Sequence, residues 1–315
     1  MASQKPLVAV LGATGNTGKN ITDALLASGD FRVAAIVRPS SLSKPAVADL
    51  RARGVEIRTG DLSDGVESLT KTLAGTDILV CTVATWALGA QRDIIRAAKE
   101  VGVQRVVPCD FGTIGARGVR ELYDVKLDIH DLVKELGVPY TFIDVGLQAP
   151  QPVKDMTWTV YADGSARTLL THRERIGTYV ARILADPRTL NQAVIVWEDE
   201  VCQGDAHALG ERVSGEGEAL KAKRIVASKD GIVSAVAGAK ELLAQDPVAN
   251  AAAGMAQAWG EVQMCMFVLE ENTLENAKRL GYLDARELYP DIVPLSLEEY
   301  AKEFYGMEDP AVLFG

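Results

Sequence analysis

The chain has 315 residues, enough for one large or two moderate domains around a substantial core. Its 48% hydrophobic and 24% charged residues are those of a globular protein, and its net charge of −10 offers no general footprint for nucleic acid or an anionic membrane. Cys81, Cys109, Cys202 and Cys265 are far apart and form no Cys-x-x-Cys, so the expectation is free thiols, a reducing cytoplasmic setting and no metal site.

Leu7-Val8-Ala9-Val10-Leu11 is an uncharged run bounded by glycine, the pattern of a buried parallel strand. Gly12-Ala13-Thr14-Gly15-Asn16-Thr17-Gly18 follows with Gly-x-x-Gly-x-x-Gly spacing. Next, Ile21, Ala24, Leu25 and Leu26 share one helical face over Asn20–Ser28. A glycine turn between the first strand and first helix lets a pyrophosphate approach the main chain. The helix N-terminus then presents N–H groups and a positive dipole end to the anion. Gly12, Thr14, Gly15, Asn16, Thr17 and Gly18 are therefore candidate dinucleotide contacts. The plainer reading is a βα turn that uses glycine only for its geometry.

Phe31–Val37 reads as the second strand and ends at Arg38. An acidic residue here would take the ribose 2′-hydroxyl of NAD, whereas an arginine accommodates the 2′-phosphate of NADP. Arg38 lies about twenty residues past the third glycine, as that rule requires. No acidic residue stands between Arg32 and Val47, and Lys44 can add a second positive charge. The expected cofactor is NADPH; a solvated surface arginine is the alternative.

Ser43 can cap a helix over Pro45–Arg53 that Gly54 ends, and Val55–Arg58 reads as the third strand. Gly60-Asp61-Leu62 is a turn placed to border the adenine, with Asp61 as its polar contact. Asp77–Thr82 is the fourth strand. Its end at Thr82 and the loop Val83 to Gly89, which opens with Val83 and Ala84, should meet the cofactor, because ligands lie beyond the carboxyl ends of such strands. A helix over Gln91–Glu100 leads to a fifth strand, Arg105–Pro108. Alternating strands and helices predict an α/β fold with a doubly wound parallel sheet, a Rossmann domain over residues 1–150.

Cys109-Asp110-Phe111-Gly112 follows the fifth strand. Helical spacing over Glu121–Leu136 puts Tyr123, Lys126 and His130 on one face. Tyr123 and Lys126 are one residue too close for the Tyr-x-x-x-Lys of typical short-chain dehydrogenases. On spacing alone, Lys126 is either a solvated lysine or a reactive one. Gly137-Val138-Pro139 then introduces a strand over Tyr140–Val145.

Several stretches together resemble a known group. They are the first turn, Val37-Arg38-Pro39, Pro108-Cys109-Asp110-Phe111-Gly112, Val125-Lys126, Gly137-Val138-Pro139-Tyr140-Thr141 and Asp186-Pro187-Arg188-Thr189-Leu190-Asn191. The chain resembles the isoflavone reductase-like group of the NmrA-like atypical short-chain dehydrogenases, strongly over residues 5–200 and weakly after that. The resemblance implies NADPH-dependent reduction of a small aromatic substrate, with the catalytic lysine on Lys126. Lys126 and Phe111 would then also meet the cofactor, and Cys109, Phe111, Tyr123, Gly146 and Leu147 the substrate. His130 is either a catalytic helper or a packing residue.

The chemistry suits a lysine. Its ordinary pKa of about 10.4 makes it a poor base, but partial burial would lower it and permit proton exchange. As a cation it would stabilise a developing phenolate or enolate. Two departures from the plant pattern stand out: Cys109-Asp110 replaces Ser-Glu, and the segment from Phe111 to Lys126 is shorter. A microbial or fungal aromatic metabolite is therefore expected rather than a plant lignan or flavonoid.

The βα rhythm breaks after Gly146. Met156–Tyr161 reads as a strand, Thr171–Ala185 as a helix packing back on the nucleotide domain, and Ala193–Trp197 as a strand. The resemblance implies a smaller substrate domain over residues 151–315, interleaved with the sheet, in which about 172–200 returns to the first domain. Helices over Ile232–Ala244, Val248–Leu269 and Leu274–Leu280 carry Trp259, Met264, Met266 and Phe267, as core or as an aromatic-substrate cleft. Val248–Leu269 holds one charge, Glu261, but also Asn250, Gln257 and Gln263, which favours a buried or interface helix over a membrane span. A last amphipathic helix begins at Leu297, and His172 and His207 have no partners at useful spacing. The expected assembly is a monomer or homodimer. A reductase leads; an NmrA-type regulator that senses the dinucleotide without turnover, and a non-redox enzyme that retains NADP, are its rivals.

Overall fold

A computed structural model of the chain describes residues 4–149 and 159–307. The strands are β1 (Leu7–Leu11), β2 (Arg32–Val37), β3 (Glu56–Thr59), β4 (Ile78–Cys81), β5 (Arg105–Val107), β6 (Thr141–Asp144), β7 (Leu147–Ala149), β8 (Thr159–Tyr161), β9 (Arg167–His172), β10 (Gln192–Ile195), β11 (Asp199–Cys202), β12 (Ile225–Ala227) and β13 (Leu283–Asp284). The first five pair in the order β3-β2-β1-β4-β5, all parallel. A second parallel sheet runs β6-β10-β13. A single parallel bridge, Val106 to Tyr140, joins the two at β5 and β6. Every residue of β1 is buried, as an uncharged strand between layers of helices must be.

Helices α1 (Asn16–Ser28), α2 (Pro45–Ala52), α3 (Gly65–Thr72), α4 (Arg92–Glu100) and α5 (Glu121–Glu135) alternate with β1–β6. This is the doubly wound arrangement expected from the alternation. α1 starts at Asn16, four residues before its apolar face becomes visible, because its first turn carries only small and polar residues. α2 opens on Pro45 without a side-chain cap, so Ser43 does not serve as one.

α6 (Ile176–Ala185) is shorter than the helix expected from Thr171: Thr171 and His172 end β9, and a 3₁₀ turn, Arg173–Arg175, intervenes. β9 is held by β7 and β11, a pairing that its own periodicity does not reveal. α6 packs on α1 through Gly177, where a Cβ would lie 2.2 Å from the Asn20 carbonyl oxygen. The Arg105 guanidinium, buried in the sheet, donates to the Ile183 carbonyl at 2.8 Å and to Thr189 Oγ1 at 3.2 Å. It thereby satisfies the carboxyl end of α6 and ties that helix to β5.

The remaining helices are α7 (Gln203–Ser214), α8 (Gly217–Ala222), α9 (Lys229–Gln245), α10 (Ala251–Gln263), α11 (Leu274–Arg279), α12 (Ala285–Leu288) and α13 (Leu297–Gly306). α10 begins later than expected and ends in a π turn, Met264–Val268. Of the strand expected over Met156–Tyr161, the first three residues lie outside the described residues and the rest form β8. Met266, Phe267, Ile232 and Ala166 make a small satellite core, with Leu147 and Tyr161 packed on it. Among the described residues no helix is long and apolar enough to cross a membrane.

Candidate active site

All five strands of the first sheet run the same way, as do β6 and β10. The carboxyl ends of β1, β4, β5 and β6 therefore open on one edge of the molecule. At the end of β1, Gly12 has φ +85°, and a Cβ there would lie 2.3 Å from the Thr82 carbonyl oxygen. A Cβ on Gly18 would lie 2.1 Å from the Gly12 carbonyl oxygen and 2.5 Å from Thr82 Oγ1. Gly15 is different: its Cβ would meet only the Gly12 oxygen, at 3.4 Å. The backbone closes as Gly15 N donates to Gly12 O at 2.9 Å.

No side chain caps α1 and no acidic residue lies in its first turn. Thr14, Gly15 and Asn16 are exposed and Thr17 is half-buried, and no side chain caps the first-turn N–H groups of α1. Thr82 braces this turn, since its hydroxyl donates to Leu11 O at 2.8 Å. Val83 is half-buried, with its carbonyl taken by Cys109 Sγ at 3.3 Å, and Ala84 is exposed.

Arg38 is exposed where β2 ends. Across from it, the Asp61 carboxylate accepts from Ser63 N at 3.0 Å and Ser63 Oγ at 2.8 Å. Those bonds, with the Arg38 charge added, hold Asp61 below the usual carboxylate range. The fold thus gives Arg38 an acidic neighbour that lies outside the stretch Arg32–Val47. Lys44 is exposed at the head of α2, and among the described residues no contact joins it to Arg38.

Past β5 the chain turns inward. Phe111 adopts φ +35°; its N–H donates to Ile143 O at 2.9 Å, and its carbonyl accepts from Gln148 Nε2 at 2.7 Å. Gly112 O accepts from Val145 N at 3.0 Å, which stitches the turn to β6. Cys109, Phe111 and Tyr123, expected to touch substrate, are all buried. Cys109 and Phe111 belong to the main core, and burial pushes the Cys109 thiol up to about 11, so it stays protonated. Gly146, at φ +64°, sits against the backbone of Leu169, and Leu147 packs on the satellite core.

Asp110 is the hub. Its carboxylate, almost wholly buried, receives His130 Nε2 at 2.9 Å from each oxygen, while its carbonyl accepts from Lys126 Nζ. His130 is buried and stacked flat on Phe142, ring centroids 3.6 Å apart and 6° from parallel. It therefore stands behind Asp110 and positions it, and Lys126, half-exposed, is the member of the face that reaches outward. Gly112 leaves room for the ammonium: a Cβ there would be 3.1 Å from Lys126 Nζ. Asp144, at the end of β6, is fully buried and accepts from Tyr282 Oη at 2.8 Å.

The C-terminal half holds α5 in place. Glu261 Oε2 accepts from Glu121 N at 2.9 Å, capping the helix, while its Oε1 takes Lys240 Nζ at 2.8 Å and Gln257 Nε2 at 2.9 Å. Glu271 Oε2 accepts from Ala116 N at 2.6 Å in the loop before α5, and Arg120 Nη1 donates to Thr113 O at 3.0 Å. Glu261→Ala would leave the cap and Gln257 unpaired, at a cost of about 2 kcal/mol. We expect a thermal midpoint lower by several degrees, read by calorimetry, with Glu261→Gln losing less.

Spacing and residue type along the chain do not point to Asp110 as an anchor, nor to Asp144, Tyr282 or the capping role of Glu261. The available signal was an acidic residue inside or ending an apolar run, which in a buried strand demands a partner. Among the described residues no group of His, Cys, Asp and Glu could hold a metal ion. Two surface hollows, of about 320 and 510 Å³, lie at Gly102–Gln104 with Val138 and Pro139, and beside β3 at Arg58 and Thr72. Neither is at the carboxyl edge where these groups meet.

The model of a family described as NmrA-like matches residues 4–301. Asnovolin J 5′,6′-dehydrogenase of Aspergillus novofumigatus is 34% identical over 97% of each chain. Phenylcoumaran benzylic ether reductase TP7 of Nicotiana tabacum is 27% identical, covering 96% of this chain and 99% of its own. Among solved structures, the binary complex of leucoanthocyanidin reductase with NADPH from Vitis vinifera superposes with a TM-score of 0.79 at 21% identity, over 96% of this chain and all of that one. A structure described as AtPrR2 with NADP+ and (+)pinoresinol superposes with a TM-score of 0.74 at 22% identity, over 96% of this chain and 99% of its own. The structural matches are to the same fold.

Proposed function

The chain belongs to the NmrA-like family, in its isoflavone reductase-like group, and from that premise we propose that it is an NADPH-dependent reductase of a small aromatic metabolite with Lys126 as general acid/base. The observation that carries this reading is the placing of Lys126 Nζ. It is fixed on the Asp110 carbonyl at the same edge of the sheet as the glycine cradle. The names of the relatives, a dehydrogenase and several reductases, support it.

In this reading the exposed turn from Gly12 to Gly18 holds the pyrophosphate and Arg38 the 2′-phosphate, with Asp61 and Lys44 nearby in sequence or space. Bound NADPH supplies the hydride. Lys126 moves the proton: as an amine it takes one from a phenolic hydroxyl, and as an ammonium it steadies the resulting oxyanion. For a benzylic ether with a para-hydroxyl, the phenolate left by loss of that proton can expel the benzylic oxygen, which leaves as an oxyanion and takes a proton from water, and the remaining ring is a quinone methide. Hydride addition at its benzylic carbon restores a phenolate, which Lys126 reprotonates. The Asp110–His130 pair keeps the lysine aimed.

The test is loss of NADPH ultraviolet absorbance with a panel of aryl benzylic ethers, enones and quinones. A protein that binds NADPH tightly and consumes none would instead be a dinucleotide-sensing regulator. The cofactor preference has its own check. Arg38→Ala should weaken NADPH by about 10–100-fold, the worth of a charge-assisted phosphate pair, and leave NADH within a few-fold. Fluorescence titration with both nucleotides reads the difference.

A further inference from the structure

We propose that Gln91 is a positioning residue for the reaction proposed above: it locks the loop after β4 to the turn after β5, and so holds the Asp110 carbonyl where Lys126 meets it. The proposal rests on the acid/base role of Lys126. Gln91 is 1% exposed, and both ends of its amide are used. Oε1 accepts from Cys109 N at 2.9 Å, and Nε2 donates to Leu88 O at 2.9 Å. These partners fix the amide's orientation, because an N–H must face its oxygen and a carbonyl must face its NH₂ group.

The position of Gln91 makes this use unusual. It stands at the N-cap of α4, yet its side chain caps nothing there. Residues that cap helices have short side chains that reach the N–H groups of their own first turn. The longer glutamine crosses to another strand instead. Cys109, the residue it meets, is also bonded back to the loop, its Sγ donating to Val83 O at 3.3 Å. The same loop rests on α5. It is a 3₁₀ turn over Thr85–Gln91, in which a Cβ on Gly89 would lie 3.8 Å from Val125 Cγ1, one residue before Lys126.

These bonds form a continuous frame from the glycine turn to the lysine. Thr82, next to Val83, donates to Leu11 O at 2.8 Å through both its N–H and its hydroxyl. Val83 and Leu88 are tied to Cys109, directly and through Gln91. Asp110 follows Cys109 in the chain, and its carbonyl accepts from Lys126 Nζ. Without Gln91 a buried N–H and a buried carbonyl lose their partner, and the turn is free to shift to find others. The Asp110 carbonyl shifts with it. The buried amide therefore keeps the proton carrier in register with the loop expected to meet the cofactor.

The experiment compares the full chain with Gln91→Met and Gln91→Glu, well below their thermal midpoints. Gln91→Met keeps the length of the side chain and removes both bonds. Its kcat should fall by about 10–100-fold, the cost of displacing a reacting group by up to an ångström, with NADPH affinity and KM within a few-fold. A merely structural glutamine would lower the midpoint and leave kcat alone. In Gln91→Glu the protonated carboxyl replaces the amide, accepting from Cys109 N and donating to Leu88 O, whereas the ionised form has no donor. It should recover kcat at the acid end of the range and lose it as pH rises. Wild-type kcat in Gln91→Met, or no recovery in Gln91→Glu at acid pH, overturns the proposal.

A second readout needs no turnover. Acylation of Lys126 by an N-hydroxysuccinimide ester, followed by peptide mass spectrometry, should be about fivefold faster in Gln91→Met, the worth of one lost hydrogen bond, with exposed Lys19 and Lys71 unchanged as references. An unchanged Lys126 rate overturns the proposal. A wild type that consumes no NADPH would end the reductase reading, and this readout would still report whether Gln91 holds Lys126. Should Gln91→Met fail to fold, Gln91→Asn decides by the same two measurements, because asparagine is a good N-cap and is one methylene too short to span Cys109 and Leu88.

Discussion

Lys126→Met is expected to lower kcat by about 10²–10⁴-fold, the range that a positioned acid/base group contributes. Methionine keeps the unbranched stem along α5 and deletes the ammonium, so the change isolates the proton-carrying atom. Its local cost is the hydrogen bond to the Asp110 carbonyl, about 1 kcal/mol, which a chain of this size can absorb. NADPH affinity should change by no more than a few-fold, because the cradle from Gly12 to Gly18 and Arg38 are untouched. Steady-state assays of the best substrate from the panel, with a fluorescence titration of NADPH on the same protein, check both halves. Wild-type turnover in Lys126→Met would end the acid/base assignment. Lost turnover together with lost NADPH binding would instead make Lys126 a cofactor anchor.

The second large effect concerns the glycines of the first turn, which the structure divides into two kinds. Gly12 and Gly18 face protein atoms: a Cβ would come within 2.3 Å and 2.1 Å of backbone oxygens that cannot move without reshaping the turn. Gly15 faces ordinary van der Waals space at 3.4 Å, and its backbone lies in the extended region at φ −81°. Gly18→Ala should therefore both lower the thermal midpoint by several degrees and abolish NADPH binding. Gly15→Ala should leave the midpoint in place while weakening NADPH by about tenfold or more, since the added methyl occupies the approach of the pyrophosphate. Calorimetry and nucleotide titration of the two variants separate these outcomes. If Gly15→Ala binds NADPH as the wild type does, the pyrophosphate does not lie against that residue.

Both predictions concern features visible in the linear chain, and the first half of the fold was equally plain there. Short apolar runs, glycine turns and amphipathic stretches repeat through residues 7–145, and each signal is carried by neighbours in the chain. The errors were local. α1 begins with a turn of small and polar residues that has no apolar period, and the helix expected from Thr171 takes in the last two residues of β9, whose partners, β7 and β11, are remote. β12 and β13, two or three residues long, have no period to detect.

The site was legible in part. Spacing put Tyr123, Lys126 and His130 on one face, but a face does not say which members look outward. Packing decided that His130 lies flat on Phe142 and pairs with Asp110, that Tyr123 is buried, and that Lys126, half-exposed, donates to the Asp110 carbonyl. The partnerships that hold these residues join positions far apart in the chain: Asp144 with Tyr282, and Glu121 with Glu261. By itself the sequence determined the parallel sheet, the glycine turn between β1 and α1, the arginine after β2 and the lysine on α5, because each is a local pattern of spacing and residue type. The tertiary structure alone decided which buried charges meet. A carboxylate inside the fold must find its partner wherever packing brings a donor within reach, and chain position does not encode that distance.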